Sequence, residues 1–210
     1  MNRCEHVIIR DMKDYNKHIY KEIVRPSYYS CLVAYLLNTV GVKATDELIQ
    51  RYNIGACKGD GAAALWRLDG DGNPLDGSAV LFDAGTGQVI MAEPITHRLM
   101  KPWEWWVTLP AFFGGHLVYN ASTIAIVQDE ITALFGAVAE PSFTWLAVGY
   151  GQNVTRDMLV QLTGHDVILF ADSLNAEAWH GLRLPNKRMA VSDAFVCADV
   201  NQYLLNKRKR

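Results

Sequence analysis

The apolar run Ile124-Ala125-Ile126-Val127 stops at Gln128-Asp129-Glu130, and a second run, Val167-Ile168-Leu169-Phe170-Ala171, stops at Asp172. Each has the length of a buried strand. Each delivers carboxylates or an amide where the strand gives way to a helix, and open α/β sheets build their sites at such carboxyl ends. Carboxylates hold hard cations such as Mg²⁺. Asp172 and Glu130 are therefore the candidate catalytic and metal-binding residues. Gln128 lines the same crevice and completes the candidate catalytic set, and Glu177, in the helical run after Asp172, is a third candidate metal ligand. The set is thin for an ion that wants several oxygen ligands, because Gln128 is neutral and cannot serve as a general base. Asp172 and Asp129 also have a simpler reading, as caps of the helices that follow them.

The elements that would position these residues alternate in the way a parallel sheet requires. From residue 124 onward the pattern predicts strand 124–127, helix 130–138, strand 143–148, helix 155–162, strand 166–170, helix 173–181, a strand near 188–192 and helix 198–205. The expected result is a sheet of about four strands with helices on both faces. Upstream, residues 29–40 read as a helix with Leu32, Tyr35, Leu36 and Thr39 on one face, closed by Gly41. Thr45 reads as the N-cap of a second helix, giving a helical hairpin. Residues 62–92 read as a small antiparallel sheet with strands Ala62–Leu68, Ser78–Asp83 and Gln88–Met91. Asp69-Gly70-Asp71-Gly72-Asn73, with Asp76, has the look of a calcium loop, but hairpin turn chemistry explains the same residues more simply. The fold class is thus α/β, with a small α+β region (29–120) before a parallel α/β domain (121–206). An arm (1–28) precedes them and a basic tail (207–210) follows.

The motifs resemble those of a Toprim domain, the metal-binding nucleotidyl-transfer and DNA-cleavage module of bacterial-type primases and topoisomerases. In that pattern Gln128 stands at the Glu place, Asp129 at the Gly place, and Thr132-Ala133 at the closing pair. Phe112 to Leu117 is similar to the Phe-Gly-x-His-Leu segment of primase-helicases. Trp145 to Gly151 is similar to the second strand and its glycine turn, and Val167 to Asp172 to the third strand, which ends in Asp-x-Asp. The second Asp of that pair is Leu174 here. Arg51 to Gly55, the strand around Ala64-Leu65-Trp66 and the hairpin from Leu81 to Gly87 resemble a bacterial family of primase-like proteins. Together the motifs cover most of residues 45–206. The resemblance implies a protein of the primase and replication neighbourhood, of phage or mobile-element type, with a degenerate Mg²⁺ site. Single-stranded DNA or a replication protein is the implied partner. Catalysis would be weakened; an active Mg²⁺-dependent nuclease or primase fragment and a pure protein-interaction module are the rival readings.

A net charge of −2 argues against a strongly electrostatic nucleic-acid binder. The candidate phosphate contacts are local: Arg98 and Lys101, and the tail Lys207-Arg208-Lys209-Arg210, whose simpler reading is a solvated end. Trp103, Trp105 and Trp106 read either as stacking platforms for bases or, with more weight, as a small core joining the two halves. His116 is expected to anchor its segment to the Toprim-like half, His165 to be exposed, and His180 to face solvent. Cys4, Cys31, Cys57 and Cys197 form no Cys-x-x-Cys pair, which argues against structural zinc. With no signal-like or membrane-spanning apolar run, a cytoplasmic setting without membrane contact is expected.

Overall fold

The computed structural model of the chain describes residues 27–99, 109–182, 188–196, 201 and 204. The N-terminal arm before residue 27, Lys101, Trp103, Trp105, Trp106, Lys207, Arg208, Lys209 and Arg210 lie outside them, as do most of the residues expected to form a final helix.

Helix α1 (Cys31–Val40) opens at Ser30, whose Oγ accepts from the Leu32 N–H at 3.2 Å. It buries Leu32, Val33, Tyr35, Leu36 and Val40. Gly41, at φ 82°, both ends α1 and begins α2 (Val42–Tyr52). This backbone conformation is open to glycine and costly for other residues. It reverses the chain within one residue, so α2 starts at once. Thr45, expected as the cap, consequently lies inside α2, buried, with Oγ1 donating to the Gly41 carbonyl at 2.8 Å.

The antiparallel sheet has the order β1 (Gly55–Ala56), β2 (Ala63–Leu68), β3 (Pro74–Phe82), β4 (Val89–Pro94). The strand β3 begins at Pro74, four residues before the Ser78 expected from the sequence. Every residue of β2 is buried. Ala63 and Leu65 join the core under α1 and α2, while Ala64, Trp66 and Leu68 pack with Ile95 on the other face. At the β2–β3 turn Asp69 Oδ1 accepts from the N–H groups of Asp71 (3.0 Å) and Asn73 (2.8 Å). That is turn chemistry, and Asp76 faces Arg67 instead of the loop. A single-turn helix, α3 (Thr96–Leu99), follows β4.

The second sheet is fully parallel: β5 (Thr123–Val127), β6 (Thr144–Ala147), β7 (Asp166–Phe170) and β8 (Met189–Ser192), in the order β6-β5-β7-β8. Its strands alternate between two cores, as the two-residue period of a strand demands. Ala125, Val127, Trp145 and Ala147 face α4 (Glu130–Ala139) and the helical hairpin. Ile124, Ile126, Leu146, Val167 and Leu169 face α5 (Arg156–Val160) and α6 (Ala176–His180). Burial on both faces explains why β5 and β7 read as unbroken apolar runs. α5 and α6 are shorter than expected. In the second case Asp172 Oδ1 takes the N–H groups of Leu174 and Asn175, which holds the chain in a turn until Ala176. Among the described residues no helix is long and apolar enough to cross a membrane.

The two sheets share one core. It joins Leu36, Tyr52, Val80 and Phe82 to Phe113, Val127, Phe135 and Trp145. Phe113 pairs with Ala147 at the edge of β6 through two main-chain hydrogen bonds of 2.9 and 3.1 Å. The Tyr52 hydroxyl donates to the Trp145 carbonyl at 3.0 Å. Phe113 therefore helps to join the halves, while the core reading of Trp103, Trp105 and Trp106 concerns residues outside those described.

Gly136 lies flat against Trp145, where an added Cβ would sit 2.3 Å from the indole ring. Gly136→Ala is expected to destabilise the fold by about 1–3 kcal/mol, the usual cost of overpacking. Gly70→Ala, at a position with open space, should shift the urea midpoint little. Equal midpoints for the two variants would contradict the packing of α4 on β6.

Candidate functional site at the carboxyl edge of the parallel sheet

Gln128 follows β5 and Asp172 follows β7, and these strands are neighbours. The two side chains meet through a third. Asn175 Nδ2 donates to Gln128 Oε1 at 3.3 Å, and Asn175 Oδ1 accepts from the Asp172 N–H at 2.9 Å. Gln128 Nε2 donates to the carbonyls of Gly149 (3.2 Å) and Gln152 (3.0 Å). The amide thus ties the β5 end, the glycine turn after β6 and the turn after β7 into one crevice. A carboxylate at position 128 would turn acceptor oxygens toward two carbonyl oxygens.

Asp129 is the N-cap of α4. Its carboxylate accepts from the Thr132 N–H at 2.9 Å and the Thr132 hydroxyl at 2.8 Å. Burial raises its pKa above the usual carboxylate range; the Thr132 bonds oppose that, and the nearby Asp172 charge adds to it. The Asp172 carboxylate is itself occupied in holding the turn before α6, and Leu174 stands 95% exposed.

Glu130 points elsewhere. It is 1% exposed and faces the junction of the two sheets, where its Oε1 lies 3.6 Å from Arg67 Nη2. Arg67, on β2 and 2% exposed, also donates to Asp76 Oδ2 (3.0 Å), Ser78 Oγ (2.9 Å) and the Val148 carbonyl (3.3 Å). One guanidinium thus serves two buried carboxylates. Neither Glu130 oxygen completes a hydrogen bond among the described residues. Burial pushes its pKa up to about 7, with Arg67 opposing. Asp76 is raised for the same reason, burial outweighing Arg67. Gly149, at φ 107°, passes directly over this group, and a Cβ there would lie 2.0 Å from Arg67 Nη2. A cavity of about 130 Å³ opens beside the cluster, lined by Arg67, Asp76, Val148, Gln152, Asn153 and Thr155 among others.

The structure thus brings Gln128, Asp129 and Asp172 to one crevice and sends Glu130 into the joint below it. Glu177 is exposed on α6. Among the described residues no three His, Cys, Asp or Glu side chains are grouped to hold a metal ion. The donor set at the crevice, an amide committed to two carbonyls and a carboxylate committed to two N–H groups, does not fit a tightly held Mg²⁺. Arg98 is also committed: it meets Glu93 at 2.6 Å and Asp60 at 2.7 Å. His116 Nε2 bonds to the Arg51 carbonyl at 2.8 Å, which ties its segment to the helical hairpin and not to the parallel sheet as expected, and burial lowers its pKa. His165 is half-buried against the Ala121 carbonyl, not exposed. His180 is exposed as expected and pairs with Asp193 at 2.6 Å. Arg67 and Asn175 did not stand out in sequence. An Arg inside the apolar run Ala62–Leu68, with Asp76 and Ser78 at strand spacing nearby, is the signal that could have found the first.

The Glu130 shift predicts how stability depends on pH. A carboxyl that ionises near its ordinary value when unfolded but only near 7 when folded stabilises the fold at low pH. That stability is lost as pH rises through the folded value. The loss is on the order of 3 kcal/mol at 1.36 kcal/mol per pKa unit. Glu130→Gln should flatten the fall in stability between about pH 4.5 and 7.5. Urea denaturation across that range checks it, and parallel curves for wild type and variant would refute it.

Comparison with solved structures places the fold. The chain is similar to the primase fragment of the bacteriophage T7 primase-helicase protein, at 18% identity and a TM-score of 0.56 over 78% of this chain and 66% of that one. It is also similar to the catalytic domain of DnaG primase, solved bound to single-stranded DNA, at 11% identity and a TM-score of 0.52 over 81% and 57% of the two chains. The E. coli primase catalytic core gives 11%, 0.50, 81% and 59%. The chain spans 66% or less of the length of each of these three, and at such identities the likeness is one of fold. Comparison with curated proteins gives no match. A family described as a domain of unknown function, DUF6371, matches residues 30–173, more than half of the chain. The chain belongs to the DUF6371 family, and its fold is that of primase catalytic domains with their Toprim-like sheet.

Proposed function

We propose that the chain is a primase-fold protein of phage or mobile-element replication that acts by binding nucleic acid at the crevice, with catalysis reduced. The observation that supports this reading most is the Gln128 amide. Both of its N–H donors are committed to the Gly149 and Gln152 carbonyls, at the position where the Toprim pattern has a glutamate. With Glu130 drawn into the ion pair with Arg67 and Leu174 in place of a second aspartate, Asp172 is left as the one committed carboxylate after β7. Mg²⁺ would be held weakly there, by Asp172 with help from Asp129. The DnaG neighbour solved with single-stranded DNA supports a strand of nucleic acid as the ligand. Lys101 and Lys207 to Arg210 remain the candidate phosphate contacts; Arg98, shared by two carboxylates, is a weaker one. Asp172 after β7, with Asp129 next to Gln128 after β5, favours a residual metal-dependent nuclease or primase activity as the second reading.

Fluorescence anisotropy with single-stranded DNA, repeated over a salt series, tests the binding. Affinity should fall with salt on a shallow slope that reflects few phosphate contacts. Asp172→Ala should leave that affinity within about threefold, a change below 1 kcal/mol. Primer synthesis or nicking by the wild-type chain in Mg²⁺ or Mn²⁺, abolished by Asp172→Ala, would replace the reading with the second one. A chain that shows neither DNA retention nor catalysis would point to a protein-interaction role.

The double variant Gln128→Glu with Leu174→Asp should gain Mg²⁺ affinity in calorimetry, since it restores two hard-cation ligands. It should also lose about 1–3 kcal/mol of stability in chelator, having given up two buried-side donors. A variant without measurable Mg²⁺ binding would count against a relic metal site.

A further inference from the structure

We propose that the cavity beside Arg67 is a recognition pocket for one pyrimidine base, read by the buried Arg67–Asp76 pair. This rests on the nucleic-acid reading above and adds which base the site selects. The cavity measures about 130 Å³ and adjoins the crevice, since Gln152 lines it and gives its carbonyl to Gln128. Its exposed lining residues, Gln152, Asn153 and Thr155, mark the mouth, and its buried ones, Arg67 and Asp76, mark the floor. The buried side chains of Ala111, Val148 and Met158 supply apolar wall. An apolar hollow with a few convergent polar groups is the usual form of a small-molecule site. Arg67 Nη1 gives one N–H to Asp76 Oδ2 at 3.0 Å, and its second N–H finds no acceptor among the described residues. Asp76 Oδ1 meets no described side-chain donor. The floor thus sets a free donor beside a free acceptor.

Charge decides the class of ligand. An anion would meet the Asp76 carboxylate, with Glu130 behind Arg67, and a cation would meet the guanidinium. Either would lose its hydration without a clean partner, which is costly in a buried place. A neutral molecule with an acceptor beside a donor satisfies both groups at once. The hydrogen-bonding edge of a nucleobase has that order. Size then selects the base. An apolar cavity of about 150 Å³ holds one benzene ring. The 130 Å³ here therefore takes a single six-membered ring and not the fused rings of a purine. Uracil or thymine would give N3–H to Asp76 and a flanking carbonyl to Arg67. Cytosine would give its amino group to Asp76 and N3 to Arg67. Sugar and phosphate stay outside the mouth, where the exposed Arg156, next to Thr155 in the chain, supplies a cation.

Calorimetry of the full chain with uridine, cytidine, adenosine and guanosine monophosphates tests the pocket, beside anisotropy with oligo-dT and oligo-dA. Pyrimidine ligands should bind about tenfold or more tightly than purine ones, and ribose 5-phosphate should not compete. Ala111→Leu should fill the cavity, keep the melting temperature and abolish the preference. Asp76→Asn should weaken pyrimidine binding about tenfold; should that variant unfold, Ala111→Leu carries the test. A preference among the mononucleotides assigns a free nucleotide as the source of the base. One seen only between oligo-dT and oligo-dA assigns a base of the bound strand. Either supports the pocket when Ala111→Leu removes it. Equal affinity for pyrimidine and purine ligands overturns the pocket, as does a preference that survives Ala111→Leu. Equal retention of oligo-dT and oligo-dA, with no mononucleotide bound, overturns it and leaves strand binding intact. Pyrimidine nucleotides bound without any retention of DNA would remove strand binding and leave the pocket. A chain that binds none of these ligands overturns both.

Discussion

The Arg67 guanidinium is the contact on which the rest of the structure depends. It leaves β2 of the antiparallel sheet, crosses the shared core and reaches the Val148 carbonyl and Glu130 at the edge of the parallel sheet. Asp76 and Ser78 hold it from its own side. Ionised groups at this depth are tolerated only when paired and bonded. The hinge between the halves is thereby fixed by geometry that neither sheet supplies alone. A shift of one sheet against the other would strand a buried cation and two carboxylates. Gly149 belongs to the same constraint, since only a residue without Cβ lets the turn pass over Arg67.

That joint also explains the crevice above it. The glycine turn is held from below by Arg67 and from above by the Gln128 amide. Asn175 carries the tie on to the Asp172 turn. The carboxyl edge of the sheet is here knitted by amides. Catalytic acids need an open carboxylate with a tuned environment. In this chain the strongly shifted carboxyl, Glu130, is spent on the joint, and the carboxylates at the crevice are spent on caps.

Much of the fold was legible because it depends on local rules. The runs Ile124–Val127 and Val167–Phe170 are apolar throughout, which only strands buried on both faces require. Gly41, Asp129 and Thr155 mark helix ends by chemistry that acts within four residues. The same locality explains the errors. Thr45 has the residue type of a cap, but the left-handed Gly41 started the helix earlier. Ser78 looked like the start of β3, whereas pairing with β2 extends the strand back to Pro74.

The sequence by itself determined the order of strands and helices, the parallel second sheet, and the arrival of Gln128 and Asp172 at neighbouring strand ends. Only the tertiary structure decided which carboxylates stay at the crevice. Glu130 and Asp129 are adjacent in the chain, yet the first turn of α4 sends one into the joint with Arg67 and the other to the helix cap. That choice rests on a partner 63 residues away in sequence. No periodicity encodes it, because side-chain direction at a strand-to-helix turn is set by what the opposing sheet presents.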